Sequence, residues 1–280
     1  MPDQVDALGS PDGPSGADDA SGESTRQRLA DAAQQLGLAL EPHQIAQLER
    51  YLAMVQKWNR VYNLTALRDP ALMLTHHLFD SLAVVVPLRK RLETQLRQGS
   101  EAAPPASAAN AGRTVGAASA RVLDVGSGAG LPGVVLAICQ PTLRVTCVDA
   151  VAKKAAFIQQ VALELKLSNI QSRHARVETL AAGAETGVNG VPLGGFDIVC
   201  SRAFASLADF VALTRGALAP CGTWMALKGK TPSDEIAALD RDEVDVFHVE
   251  PLVVPELAAE RCIVWMKKRG LAPPAEADTA

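Results

Sequence analysis

"RVLDVGSGAGLPG", residues 121–133, passes from an apolar, β-branched run into a segment with glycine at 126, 128, 130 and 133. Such a run favours a strand, and glycine admits positive φ angles and close ligand approach. A strand that runs through a glycine-rich turn into a helix is where open α/β sheets take their ligands. The dinucleotide fingerprint G-x-G-x-x-G needs a third glycine at position 131, which is Leu131. A P-loop needs Gly-Lys-Ser/Thr to close the run, and that is missing. What remains is D-x-G-x-G-x-G, with Asp124 two residues before the first glycine.

Around this motif the chain alternates strands and helices. The pattern predicts strands at 121–125, 143–148, 169–174, 196–201, 222–227, 244–250 and 260–267. It predicts helices over about 152–166, from Ser206, where Ser206 with Asp209 gives a capping box, and from Thr231, with Pro232 at the first helical position. Alternation of this kind gives a largely parallel sheet with helices on both faces. The last two strands are joined by a short connection, so one of them should run antiparallel. Residues 181–195 read as a Gly-rich surface loop, and "APCGTW" as a tight turn before the fifth strand.

Five segments follow from composition: an acidic, disordered tail (1–24), a helical extension (25–93), a low-complexity insertion or linker (94–120), the α/β core (121–269) and a second tail (270–280). Within the extension, Ile45, Leu48, Leu52, Val55 and Trp58 make one apolar helical stripe. A second helix spans Pro70–Arg91, interrupted near Pro87. The net charge of −4 conceals an asymmetry. Residues 1–25 hold six acids and no base, and residues 26–269 hold 27 bases against 23 acids. That balance permits an anionic partner without requiring one. The N-terminus has no basic and apolar leader pattern, and no apolar run reaches the length of a membrane span. Five cysteines without a C-x-x-C pair fit reduced thiols in the cytoplasm and no metal site.

The loop resembles the first motif of S-adenosylmethionine-dependent methyltransferases of the Rossmann-like class. Asp149, 23 residues after Gly126 at the end of the second strand, is placed to accept hydrogen bonds from ribose hydroxyls or to cap the next helix. Further runs carry a closer likeness: "NLTALRDP" (63–70), "HHLFDSL" (76–82), "RVETL" (176–180), "SRAFASL" (201–207) and "ALKGK" (226–230). With "DVGSGAGLPG" and in this order, they resemble the bacterial 16S rRNA guanine-N7 methyltransferase G family, also called glucose-inhibited division protein B. The resemblance runs from about residue 30 to 269.

It implies a class I methyltransferase fold, with a seven-stranded, mostly parallel sheet and the N-terminal helical extension. S-adenosylmethionine would be held by Gly126, Gly128, Leu131, Asp149, Val177, Glu178 and Arg202. The partner would be 16S ribosomal RNA or a small ribosomal subunit particle, met by a cytoplasmic monomer without metal or membrane. Guanine N7 carries a lone pair and no proton, so alignment matters more than a general base. Arg202 is the candidate catalytic residue, by positioning a carboxylate, a phosphate or guanine O6; a structural ion pair is its alternative. Phe204 could stack on the purine or sit in the core. Lys153, Arg176 and Lys228 are candidates for RNA phosphates. His76 and His77 read as packing or capping residues outside the crevice, and Cys221 as structural. A small-molecule methyltransferase and a non-catalytic RNA-binding or ribosome-assembly factor stay open as alternatives.

Overall fold

The computed structural model describes residues 17–101, 120–180, 195–202, 204 and 206–269. The expected tail up to residue 16, most of the linker, the loop 181–194 and the tail from 270 fall outside these residues.

Seven strands form one sheet: β1 (Arg121–Val125), β2 (Arg144–Asp149), β3 (Ile170–His174), β4 (Phe196–Ser201), β5 (Leu218–Lys228), β6 (Val244–Leu252) and β7 (Arg261–Lys268). Their order is β3-β2-β1-β4-β5-β7-β6. The first five run parallel, and β7 is antiparallel to both neighbours, as the short last connection predicts. Central strands are mostly apolar because helices cover both faces. Val122, Leu123, Ile198, Val199, Trp224 and Ile263 have no exposure at all.

The helices are α1 (Ala17–Gln35), α2 (Pro42–Tyr62), α3 (Pro70–Met73), α4 (Asp80–Leu82), α5 (Val85–Glu101), α6 (Gly133–Cys139), α7 (Ala152–Glu164), α8 (Leu207–Thr214) and α9 (Ser233–Ala237). Helix α2 starts at Pro42, whose missing N–H costs nothing in a first turn. Gln44 reaches back to accept from Glu41 N–H at 2.9 Å, and Asn63 ends the helix in the left-handed region. The stripe read from the sequence is buried at Ile45, Leu48, Leu52 and Val55. It packs with Leu131, Val134, Phe157 and Ile158 in one apolar cluster, so α1 to α5 share a core with the sheet's helices.

Five local expectations are corrected. Helix α1 begins at Ala17, eight residues before Thr25. Helix α5 runs eight residues into the supposed linker, to Glu101, and Gln95 Nε2 donates to Thr223 Oγ1 at 2.7 Å. The break before α5 lies at Ala83–Val84, leaving Pro87 in a first turn where proline is tolerated. Helix α9 starts after Pro232, whose ψ of 68° is not helical, rather than on Thr231. Strand β5 begins at Leu218: Phe196 pairs with Leu218 and Ile198 with Thr223, so residues 219–222 bulge from the strand where a turn was expected. Cys221 is exposed on that bulge, and the other four cysteines are buried.

One helical stretch, Pro70–Gln95, is long and apolar enough by composition to cross a membrane, which the sequence reading did not anticipate. Here 72% of its most apolar window is buried inside the protein.

Candidate cofactor crevice and neighbouring cavity

At the carboxyl end of β1 the chain turns through Gly126, Gly128 and Gly130, with φ of +65°, +59° and +90°. An L side chain is strained in each. A Cβ on Gly126 would meet nothing within 4 Å, and one on Gly128 only Leu64 O and Gly126 O, at 3.9 and 4.0 Å. The loop therefore keeps a bare face toward open space. Its other face is crowded. A Cβ on Gly133 would lie 2.5 Å from Cys147 Sγ and 2.8 Å from Asp124 Oδ2. Glycine at 133 is what lets α6 start hard against β1 and β2.

Asp124 fastens this junction. It is fully buried, and its Oδ2 accepts from Gly133 N–H at 2.9 Å, while Oδ1 has no hydrogen-bond partner. Burial pushes its carboxyl up to about 7, against the Gly133 bond and the Arg202 charge, which lower it. Asp149 holds the loop from β2: Oδ2 accepts from Gly128 N–H at 3.0 Å and Oδ1 from Val151 N–H at 2.8 Å. It thus organises the turn into α7 as well as the crevice edge. From the helical segment, Tyr51 Oη donates to Ala129 O at 2.7 Å. Leu131 turns its side chain into the core and donates its N–H to Ser127 O at 3.0 Å.

The next loop brings Val177 to the same side. Ala175 N–H donates to Asp149 O at 3.2 Å, and buried Val177 packs in a cluster with Val125, Val148 and Leu207. Glu178 and Arg176 pair with each other, Arg176 Nε to Glu178 Oε1 at 2.9 Å, on an exposed surface. Lys153 is exposed in the first turn of α7. Phe204 packs against the core with its ring 5.4 Å from that of Phe210.

A cavity of about 370 Å³ is lined by Arg202 just after β4, by the end of β5 and by the start of β7. Of the predicted site residues it takes in Arg202 and Lys228. Both are engaged. Arg202 Nη1 donates to His76 O at 3.1 Å and lies 3.5 Å from Asp80 Oδ2. Lys228 donates to both oxygens of Glu235, at 3.0 and 2.8 Å, and Glu235 also accepts from Leu207 N–H at the start of α8.

The opposite wall is the loop 65–67 with His76, His77 and Asp80. The placing of both histidines outside the crevice region is corrected: they line this cavity, presented by a π-helical turn, Leu74–Phe79, that periodicity did not reveal. Asn59 clamps the loop, donating to Leu67 O and accepting from Thr65 N–H, each at 2.9 Å. Thr65 Oγ1 lies 3.0 Å from His77 Nε2, and His77 Nδ1 is buried without a partner. Burial, then the Arg202 charge, hold His77 down at about 4, so it is neutral at pH 7. Asp80 and Arg261 were also missed as site residues; "HHLFDSL" signalled the segment but not which of its side chains face inward. Among the described residues no group of three or more His, Cys, Asp or Glu is arranged to hold a metal.

Sheet order, glycine loop and acidic strand end together define a Rossmann-like class I methyltransferase fold. The profile described as rRNA small subunit methyltransferase G matches residues 44–97 and 107–264. A protein of Acidovorax sp. (strain JS42) named ribosomal RNA small subunit methyltransferase G is 56% identical over 247 residues, covering 88% of this chain and 97% of its own. Its namesake in Verminephrobacter eiseniae is 56% identical over 248 residues, covering 88% and 96%. Among solved structures, TrmN from Thermus thermophilus aligns over 70% of this chain and 53% of its own, at 19% identity and a TM-score of 0.41. The chain belongs to the rRNA small subunit methyltransferase G family.

Proposed function

We propose that this protein transfers a methyl group from S-adenosylmethionine to N7 of one guanine in 16S ribosomal RNA. The observation that carries the reading is the bare glycine face beside Asp149 and Val177 in a chain of this family. A ligand tail can lie against Gly126 and Gly128, where no side chain intrudes, and the Asp124 Oδ1 left without a partner marks a polar site beneath it. When bound, S-adenosylmethionine supplies a methyl group on a positively charged sulfur.

The chain's residues then divide the work. Gly126, Gly128 and Leu131 form the floor, and Asp149 has lone pairs beyond its two backbone bonds for ribose hydroxyls. Val177 offers an apolar face to the adenine, and Glu178 stands one residue along. Arg202, which lines the cavity, fixes the approach of the acceptor base. N7 needs no proton removed, so the site works by alignment and water exclusion. Neutral His77 need not act as a base. Lys153 and Arg176, which are exposed, and half-buried Phe204 are assigned to the RNA, with Lys228 reaching it only if Glu235 lets go.

The test is genetic and chemical. Deleting the gene and analysing small-subunit RNA by mass spectrometry should reveal one lost 7-methylguanosine, restored in vitro by the purified protein with S-adenosylmethionine. An unchanged modification profile refutes the substrate assignment.

A further inference from the structure

The cavity that Arg202 lines contains groups that the transfer described above leaves unused. Its 370 Å³ falls in the range of small-ligand pockets. Three cations, Arg202, Lys228 and Arg261, and one buried carboxylate, Asp80, face it. The carboxylate is engaged unevenly. Arg261 Nε donates to Oδ1 at 2.8 Å, whereas Oδ2 faces Arg202 Nη1 at 3.5 Å, an ion-pair distance too long for a strong hydrogen bond. Oδ2 therefore keeps acceptor capacity toward the cavity, and the carboxylate cannot swing because Oδ1 is held.

The chemistry of guanine says what such an oxygen is for. N7 lies on one edge of the purine, and N1–H and N2–H₂ lie on the adjacent edge, beyond O6 and turned away from the N7 lone pair by about a right angle or more. A guanine seated in this cavity can turn N7 toward the glycine loop while N1–H and N2–H₂ stay turned to the cavity wall that carries Asp80. Two adjacent donors can converge on one carboxylate oxygen, which has more than one lone pair. O6, between N7 and N1, is an acceptor and suits a cation. Adenine would bring a lone pair at N1 against Asp80 and be rejected.

The charge balance argues likewise. In the transfer the N7–carbon bond forms and the carbon–sulfur bond breaks, with its electron pair left on sulfur. One unit of positive charge thereby passes from sulfur to the purine. A carboxylate against the far edge stabilises that charge as it develops, which cations alone would oppose.

We infer that this cavity receives the target guanine base and that Asp80 reads its N1–H and N2–H₂ edge through Oδ2. The inference rests on the guanine-N7 reading and deepens it.

The test uses small subunits assembled with 16S RNA that carries inosine in place of guanosine at the position mapped by the deletion experiment. Inosine lacks the N2 amine and keeps N7. The wild-type protein should methylate the inosine particle with kcat/KM lower by about tenfold or more, the cost of one hydrogen bond to a charged group. Asp80→Asn should lose roughly 100-fold on the guanosine particle. Its loss of S-adenosylmethionine affinity by calorimetry should be much smaller than its loss of rate, since it reaches the cofactor crevice only through its pair with Arg202. Its preference for guanosine over inosine should fall close to unity. Equal wild-type rates on the two particles overturn the inference without any variant, and so does an Asn variant that keeps the preference. No transfer to the guanosine particle at all would defeat the guanine-N7 reading, and this inference with it.

Discussion

Two buried groups near the site titrate in opposite directions, and their balance can be measured. His77 is held at about 4, below its ordinary 6.5. Asp124 is pushed to about 7, above its ordinary 3.8. As pH falls from 6.5 toward 4, the unfolded chain takes up a proton on His77 before the folded chain does, so this histidine lowers stability by about 1.4 kcal/mol per pH unit. Over the same range the folded chain already holds the Asp124 proton that the unfolded chain has yet to bind, so this carboxyl raises stability by the same slope. The two contributions cancel in the wild type. Removing one exposes the other. As pH falls, His77→Asn should gain on wild type by about 3–4 kcal/mol between pH 6.5 and 4, and Asp124→Asn should lose by about 4 kcal/mol between pH 7 and about 4. Urea midpoints at four pH values, converted with a common m-value, give both differences. A pH-independent gap between wild type and His77→Asn would show that the histidine is not held neutral and would refute the reasoning.

Two further substitutions probe the loop. Gly133→Ala places a Cβ 2.5 Å from Cys147 Sγ and should destabilise by about 1–3 kcal/mol; thermal unfolding checks this, and the added substitution Cys147→Ala should recover part of it. Tyr51→Phe deletes the bond to Ala129 O and should cost about 1 kcal/mol in unfolding, with weaker S-adenosylmethionine binding by calorimetry and no change in secondary structure by circular dichroism.

The sheet was legible in the sequence because buried parallel strands are continuous apolar runs bounded by glycine and polar turns. Strand ends were off where pairing was irregular, as at the residue 219–222 bulge, which depends on what Phe196 and Ile198 meet across the ladder. The glycine loop was legible for a local reason: three positive φ angles demand glycine at those positions. Leu131 stood in the motif, yet its side chain serves the core. The cavity was not legible. Asp80 and Arg261 are 181 residues apart, and nothing local tells that one carboxylate will face two guanidinium groups. Likewise the pairing of Lys228, a candidate for RNA phosphates, with Glu235 was not legible because Glu235 lies beyond a turn whose geometry periodicity does not give.

Tyr51 and Gln44 of α2 bond to Ala129 in the glycine loop and to Ile138 in α6. The crevice floor is thus a joint product of two stretches of chain more than seventy residues apart. Anyone recombining this protein with a relative should place the crossover accordingly. A cassette cut at residue 121 would carry the glycines but leave behind the tyrosine that ties their turn and the apolar faces that cover α6. The smallest exchangeable part is the chain from α2 onward.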